Sequence, residues 1–196
     1  MNVLFRRILS VCLLASISIS TNAQTKVVVI PMGGDAQPLQ NVITVSKENG
    51  DFTDPVEAMK SINDADKDNP YLVFIGPGVY TLTETLIMQP FVDISGSGRH
   101  ATRLTGAISQ SAGDIDHTSA IVQGASNASL QSLSIENTGT DTYSSGIYSL
   151  SASPVLSNLH ISITGGNATY GILNYTSSPE ISNVSITSTG TNSVSY

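Results

Sequence analysis

The chain has 196 residues, 12% of them charged and 40% hydrophobic, with no Trp, one Cys and a formal net charge of −7. That length suits one domain or a short repeat array. The acidic balance, with no Lys or Arg after Arg103, excludes the clustered cations that binding to nucleic acid requires.

Residues 1–23 read as a cleaved signal peptide. Arg6 and Arg7 open it, an apolar core runs from Ile8 to Ala15, and Thr21-Asn22-Ala23 offers a small-residue cleavage site. The core is too short to span about 30 Å of hydrocarbon, so no transmembrane anchor is expected. Cys12 is read as part of that core, because Val11 before it is too bulky for lipidation. Export would place the mature, cysteine-free chain in the periplasm, at the cell surface or outside the cell.

Residues 24–43 form an N-terminal strand and linker, with Val27-Val28-Val29-Ile30 as an apolar strand ended by Pro31. Residues 44–118 follow as a cap and first coils. The one helix expected has Asp54 as N-cap, Pro55 at its first position, and Val56, Met59 and Ile62 on one face. Leu72-Val73-Phe74-Ile75 is a buried-type strand closed by Gly76-Pro77-Gly78, and a second runs over Phe91–Ile94 before Gly96-Ser97-Gly98.

Repeats govern residues 119–196. Residues 146–170 align with 171–195 at an offset of 25, with 10 identities that include Gly146/Gly171, Pro154/Pro179, Asn158/Asn183 and Ile161/Ile186. A weaker copy precedes them at an offset of 26, matching Ile121/Ile147, Leu130/Leu156, Leu133/Leu159 and Ile135/Ile161. Leu159-His160-Ile161-Ser162-Ile163 alternates with period two, and short hydroxyl and β-branched residues dominate (29 Ser and 19 Thr in the chain), so the copies are strands. Each coil reads as a strand (146–150), a Ser-Pro turn, a strand (155–157), a corner at Asn158, a strand (159–163) and a loop (164–170). Asn158 and Asn183 break the alternation where a sharp corner needs a left-handed residue, and stacked they can bond to one another. The architecture is all-β: a right-handed parallel β-helix with lines of Ile and Leu inside. The chain stops where the next coil should begin, with no capping element, so self-association or further coils are expected at that end.

Thr44-Val45, Asn49-Gly50-Asp51-Phe52, the helix at 55–62, Gly76-Pro77-Gly78-Val79-Tyr80, Ile94-Ser95-Gly96-Ser97-Gly98 and Thr105-Gly106 occur in an order that resembles the opening of pectin methylesterases. The resemblance implies the pectin-lyase-like superfamily of right-handed parallel β-helices, which includes esterases, lyases, hydrolases and binding proteins. A methylesterase of that kind would need a Gln, two Asp and an Arg converging on one strand face of the central coils. No Arg follows Arg103, and Glu136, Asp141 and Glu180 are the carboxylates after residue 117. Asn137-Thr138-Gly139-Thr140-Asp141 only echoes the Asn-Thr-Asp of pectin hydrolases.

Two groups of residues remain as candidates. Tyr143, Tyr148, Tyr170 and Tyr175 cluster in the coils, where flat rings suit sugar stacking, although Tyr is also an ordinary strand former. Asp114, Asp116 and His117 could hold a divalent cation such as calcium, or simply form an acidic loop; no other cofactor is expected. His160 points outward as a surface residue, and Asn127, Asn167, Asn174 and Asn183 lie in Asn-X-Ser/Thr sequons that follow from composition. The expected function is an exported, non-catalytic binding or structural module with polysaccharide as its partner. The alternative is a carbohydrate-active enzyme, esterase or lyase, whose site lies outside or beyond these coils.

Overall fold

A computed structural model describes residues 41–194, so the signal peptide read at 1–23 and the strand read at Val27–Ile30 lie outside the described residues. The elements follow a coil-by-coil order. They are β1 (Asn41–Val45), α1 (Pro55–Ser61), β2 (Tyr71–Ile75), β3 (Gly78–Leu82), β4 (Leu86–Ile87), β5 (Val92–Gly96) and β6 (Thr102–Gly106). After a 3-10 turn at His117–Ser119 come β7 (Ala120–Gln123), β8 (Ser129–Asn137), β9 (Tyr143–Leu150), β10 (Val155–Thr164), β11 (Ala168–Tyr175), β12 (Glu180–Thr189) and β13 (Asn192–Val194). The named strands pair in parallel, in a path β1-β2-β5-β8-β10-β12 with β3 and β6 beside it, and a second sheet β13-β11-β9-β7-β4. The result is a right-handed parallel β-helix of about 5 turns with roughly 25 residues per coil.

The helix forms as its sequence dictates. The Asp54 carboxylate accepts a hydrogen bond from Val56 N at 2.8 Å, Pro55 opens the first turn, and Val56, Ala58 and Met59 are buried. The core within the coils is a set of aliphatic columns. Leu156 pairs with Leu130 on one side and Ile181 on the other, and Ile161 likewise with Ile135 and Ile186, at strand spacing.

The corner lies within continuous strands. Ser132, Asn158 and Asn183 have φ of 58°, 53° and 50°. Asn183 Nδ2 donates to Asn158 Oδ1, and Asn158 Nδ2 to Ser132 Oγ, each at 3.1 Å. In the preceding coil the same corner separates β5 from β6, whose residues Ile94 and Leu104 pair with Leu130 and Ile135 on the two arms of β8. Asn183→Ala removes one rung and strains the left-handed residue, so it should cost about 1–2 kcal/mol. Chemical unfolding followed by circular dichroism would measure the loss.

Register corrects one detail of the sequence reading. Between β7 and β9 the partners are Val122 and Ile147, so Ile121 is not in the Ile147/Ile172 line. The offset of 26 holds between β8 and β10, because the turn over 124–128 is one residue shorter than that over 149–154. Gly171 has a steric role: a Cβ there would lie 2.2 Å from Ile186 Cγ2. Hydroxyl ladders line the turns, with Ser178 N donating to Ser153 Oγ, and Ser153 N to Ser126 Oγ, both at 3.0 Å.

Candidate functional site

The tyrosines of successive coils do not stack on their own kind. Register sets Tyr148 of β9 beside Leu173 of β11, and Leu150 beside Tyr175. Each ring therefore has an aliphatic neighbour across the strand gap, and the rings meet on the diagonal. Tyr148 and Tyr175 have centroids 5.8 Å apart with planes tilted by 52°. Tyr143 pairs with Ala168, and Ser145 with Tyr170, which brings all four phenols to one region of the smaller sheet.

The loop over 107–119 forms the opposite wall. It is the longest of the connections entering that sheet from β6, β8 and β10. Gln110 and Tyr143 exchange backbone hydrogen bonds at 2.9 Å in both directions, which anchors the loop on β9. The Gln110 side chain then orders the loop from within: Nε2 donates to Asp114 O at 3.0 Å, and Oε1 accepts from Asp116 N at 3.1 Å. Thr85 Oγ1 lies 2.8 Å from both His117 O and Ala120 O, which share its one proton as acceptors, and this fixes the far end of the loop.

Between loop and sheet lies an open cavity of about 590 Å³. Gly113, Asp114 and Ile115 border it on the loop side, and the four tyrosines with Leu150 and Thr176 on the sheet side. Tyr148 is buried at 5% exposure, whereas Tyr175 is 42% exposed, so one ring forms the floor and another the rim. Burial pushes the Tyr148 phenol above its ordinary pKa, and the negative fields of Tyr175 and Asp116 add to that. The tyrosines and Asp114, separate candidates in the sequence, thus border a single space. Gln110, Ile115, Leu150 and Thr176 carry no periodic signal, and the length of the 107–119 connection was the one available clue.

Asp116 is engaged otherwise. It caps the 3-10 turn, accepting from Thr118 N at 2.7 Å and from Thr118 Oγ1. Among the described residues no group of three His, Cys, Asp or Glu is placed to hold a metal ion, so Asp114, Asp116 and His117 are not gathered as a calcium site. The Thr118 hydroxyl, then its amide, hold the Asp116 carboxyl below its ordinary value. A carboxyl depressed by folding stabilises above its unfolded pKa and loses that contribution as pH falls through the folded value. The loop should therefore loosen below about pH 4, seen as faster amide exchange at Thr118 and Ser119 than the acid-corrected intrinsic rate predicts.

The other polar residues serve elsewhere. Arg103 and Glu136 pair at 3.2 Å on the larger sheet, with both side chains part exposed. His160 Nδ1 lies 2.9 Å from Ser185 Oγ on that same sheet. Asn137, in the stretch that echoes Asn-Thr-Asp, is fully buried and structural: its amide nitrogen donates to Ile108 O, Ser119 O and Ser145 O, and its oxygen accepts from Ile108 N and Gly139 N.

The sequence matches no family model and no curated protein. Among solved structures, a point mutant of a pectin methylesterase in complex with a hexasaccharide is similar at 19% identity and a TM-score of 0.54, over 77% of this chain and 50% of that one. Pectin methylesterase PemA from Erwinia chrysanthemi is similar at 16% identity and a TM-score of 0.43, over 77% of this chain and 67% of that one. A further pectin methylesterase complex with a hexasaccharide is similar at 15% identity and a TM-score of 0.44, over 77% and 66%. The chain spans about half the length of the first of these. What is shared at such identities is the fold, a parallel β-helix. Among the described residues no helix is long and apolar enough to cross a membrane.

Proposed function

We propose that the protein is an exported β-helix that binds a carbohydrate polymer in the tyrosine-lined groove without altering it chemically. The observation that carries this reading is the convergence of four phenol rings, from two successive coils, on one open cavity of about 590 Å³. Pyranose rings present apolar C–H faces that pack on flat aromatic faces, while phenol hydroxyls keep bonding to water and sugar hydroxyls. The solved neighbour with a bound hexasaccharide supports a polysaccharide as the partner.

Esterase activity is the second reading, favoured by the methylesterase identity of that neighbour. It would need a carboxylate nucleophile and an acid–base partner beside a bound ester. Asp114 is the carboxylate that borders the groove.

Affinity electrophoresis in gels that contain polysaccharide separates these readings when methanol release from methyl-esterified pectin is measured alongside. Retardation without methanol release is the expected result. Methanol release that Asp114→Asn abolishes would replace binding with catalysis, and migration unaffected by every polysaccharide would overturn the groove as a glycan site.

A further inference from the structure

The groove has a sign. Asp114 borders it, and none of its lining residues carries a positive charge. No Lys or Arg follows Arg103 in the sequence, so β7 to β13, which include the whole tyrosine wall, contribute no basic side chain except His160 on the other sheet. Arg103 itself is paired with Glu136 on that other sheet. Asp116, in the same loop but outside the cavity lining, adds a second negative charge whose field reaches the Tyr148 phenol.

We infer that the polymer this groove accepts is uncharged, and that polyuronates with free carboxylates are turned away from it; this rests on the glycan-binding reading above. A uronate seated on the tyrosines would share the cavity with Asp114, and salt screens their repulsion only over a Debye length of about 8 Å. Its carboxylate would also lose water against phenol rings and aliphatic side chains with no cation to compensate. A neutral sugar meets neither penalty, because its C–H face packs on the rings and its hydroxyls bond to Tyr hydroxyls and the loop. Discrimination here comes from a repulsive element built beside an attractive one.

Two probe pairs keep the pyranose backbone and change the charge at C6 through different groups: hexagalacturonate with its methyl ester, and cellohexaose with its hexaglucuronate counterpart. Titration calorimetry at low ionic strength should show the neutral member of at least one pair binding about fivefold or more tighter than its acidic partner. Raising the salt to about half molar should narrow the ratio, since the Debye length then falls to about 4 Å. Asp114→Lys should bring the ratio towards one or invert it. Equal or tighter binding of the acidic member in wild type would overturn the inference and leave the groove a glycan site. Heat from neither member of either pair would remove the glycan-binding reading and this inference with it.

Discussion

Asn137→Ala is expected to lower stability by about 3–5 kcal/mol, the largest loss of any single polar truncation in the described coils. The side chain is fully buried where β8 ends and bonds to the backbone of Ile108, Ser119 and Ser145 as well as to Gly139 N. Its carbonyl accepts from Ile108 N at 3.0 Å and Gly139 N at 3.1 Å, and its amide donates to Ile108 O and Ser145 O, both at 2.8 Å. These partners lie on three chain segments, so the residue joins the start of the groove loop to β8 and β9. Alanine leaves buried backbone donors and acceptors unpaired, each costing about 1–3 kcal/mol before water enters the space. Urea unfolding followed by circular dichroism would measure the shift in midpoint. A loss under about 1 kcal/mol would mean that water replaces the amide at little cost and that the loop is held by Gln110 and Thr85 instead.

Replacing Tyr170 and Tyr175 together by Ala should weaken polysaccharide retention by about thirtyfold, with little change in unfolding midpoint. Each aromatic face is worth about 1 kcal/mol in a stacked contact, and two such contacts amount to about one and a half decades of affinity. Tyr175 is 42% exposed at the rim, so its removal leaves the core columns intact. Tyr148 is the poorer choice for this test, since its ring is buried and its loss would open a cavity beneath the groove. The double variant is read by the same affinity electrophoresis as wild type. Unchanged retention would show that the polymer binds away from the tyrosine wall.

Much of the fold was open to a reading of the chain alone. The 25-residue spacing, the period-two alternation of 159–163 and the Asn158/Asn183 pair are one-dimensional signals, and the solenoid converts them directly into strands, columns and a corner. Asp54 with Pro55 marked the helix because capping chemistry is local to the first turn. Small differences in turn length were harder to see: one residue fewer over 124–128 moves Val122, not Ile121, opposite Ile147, although both are apolar and both are buried.

The site divides along the same line. The sequence by itself determined which residues could stack on a sugar, because Tyr143, Tyr148, Tyr170 and Tyr175 are the large rings of residues 119–195, and it determined the negative sign, because Lys and Arg end at Arg103. Only the tertiary structure decided that these rings and Asp114 share one cavity and that Asp116 caps the 3-10 turn. The reason is physical. Periodicity reports how a strand faces its own coil, whereas a groove depends on lateral register between coils and on a loop that turns back over the sheet. Those features are held by Gln110, Thr85 and Asn137, whose hydrogen bonds join positions up to 35 residues apart and leave no repeating trace in the chain.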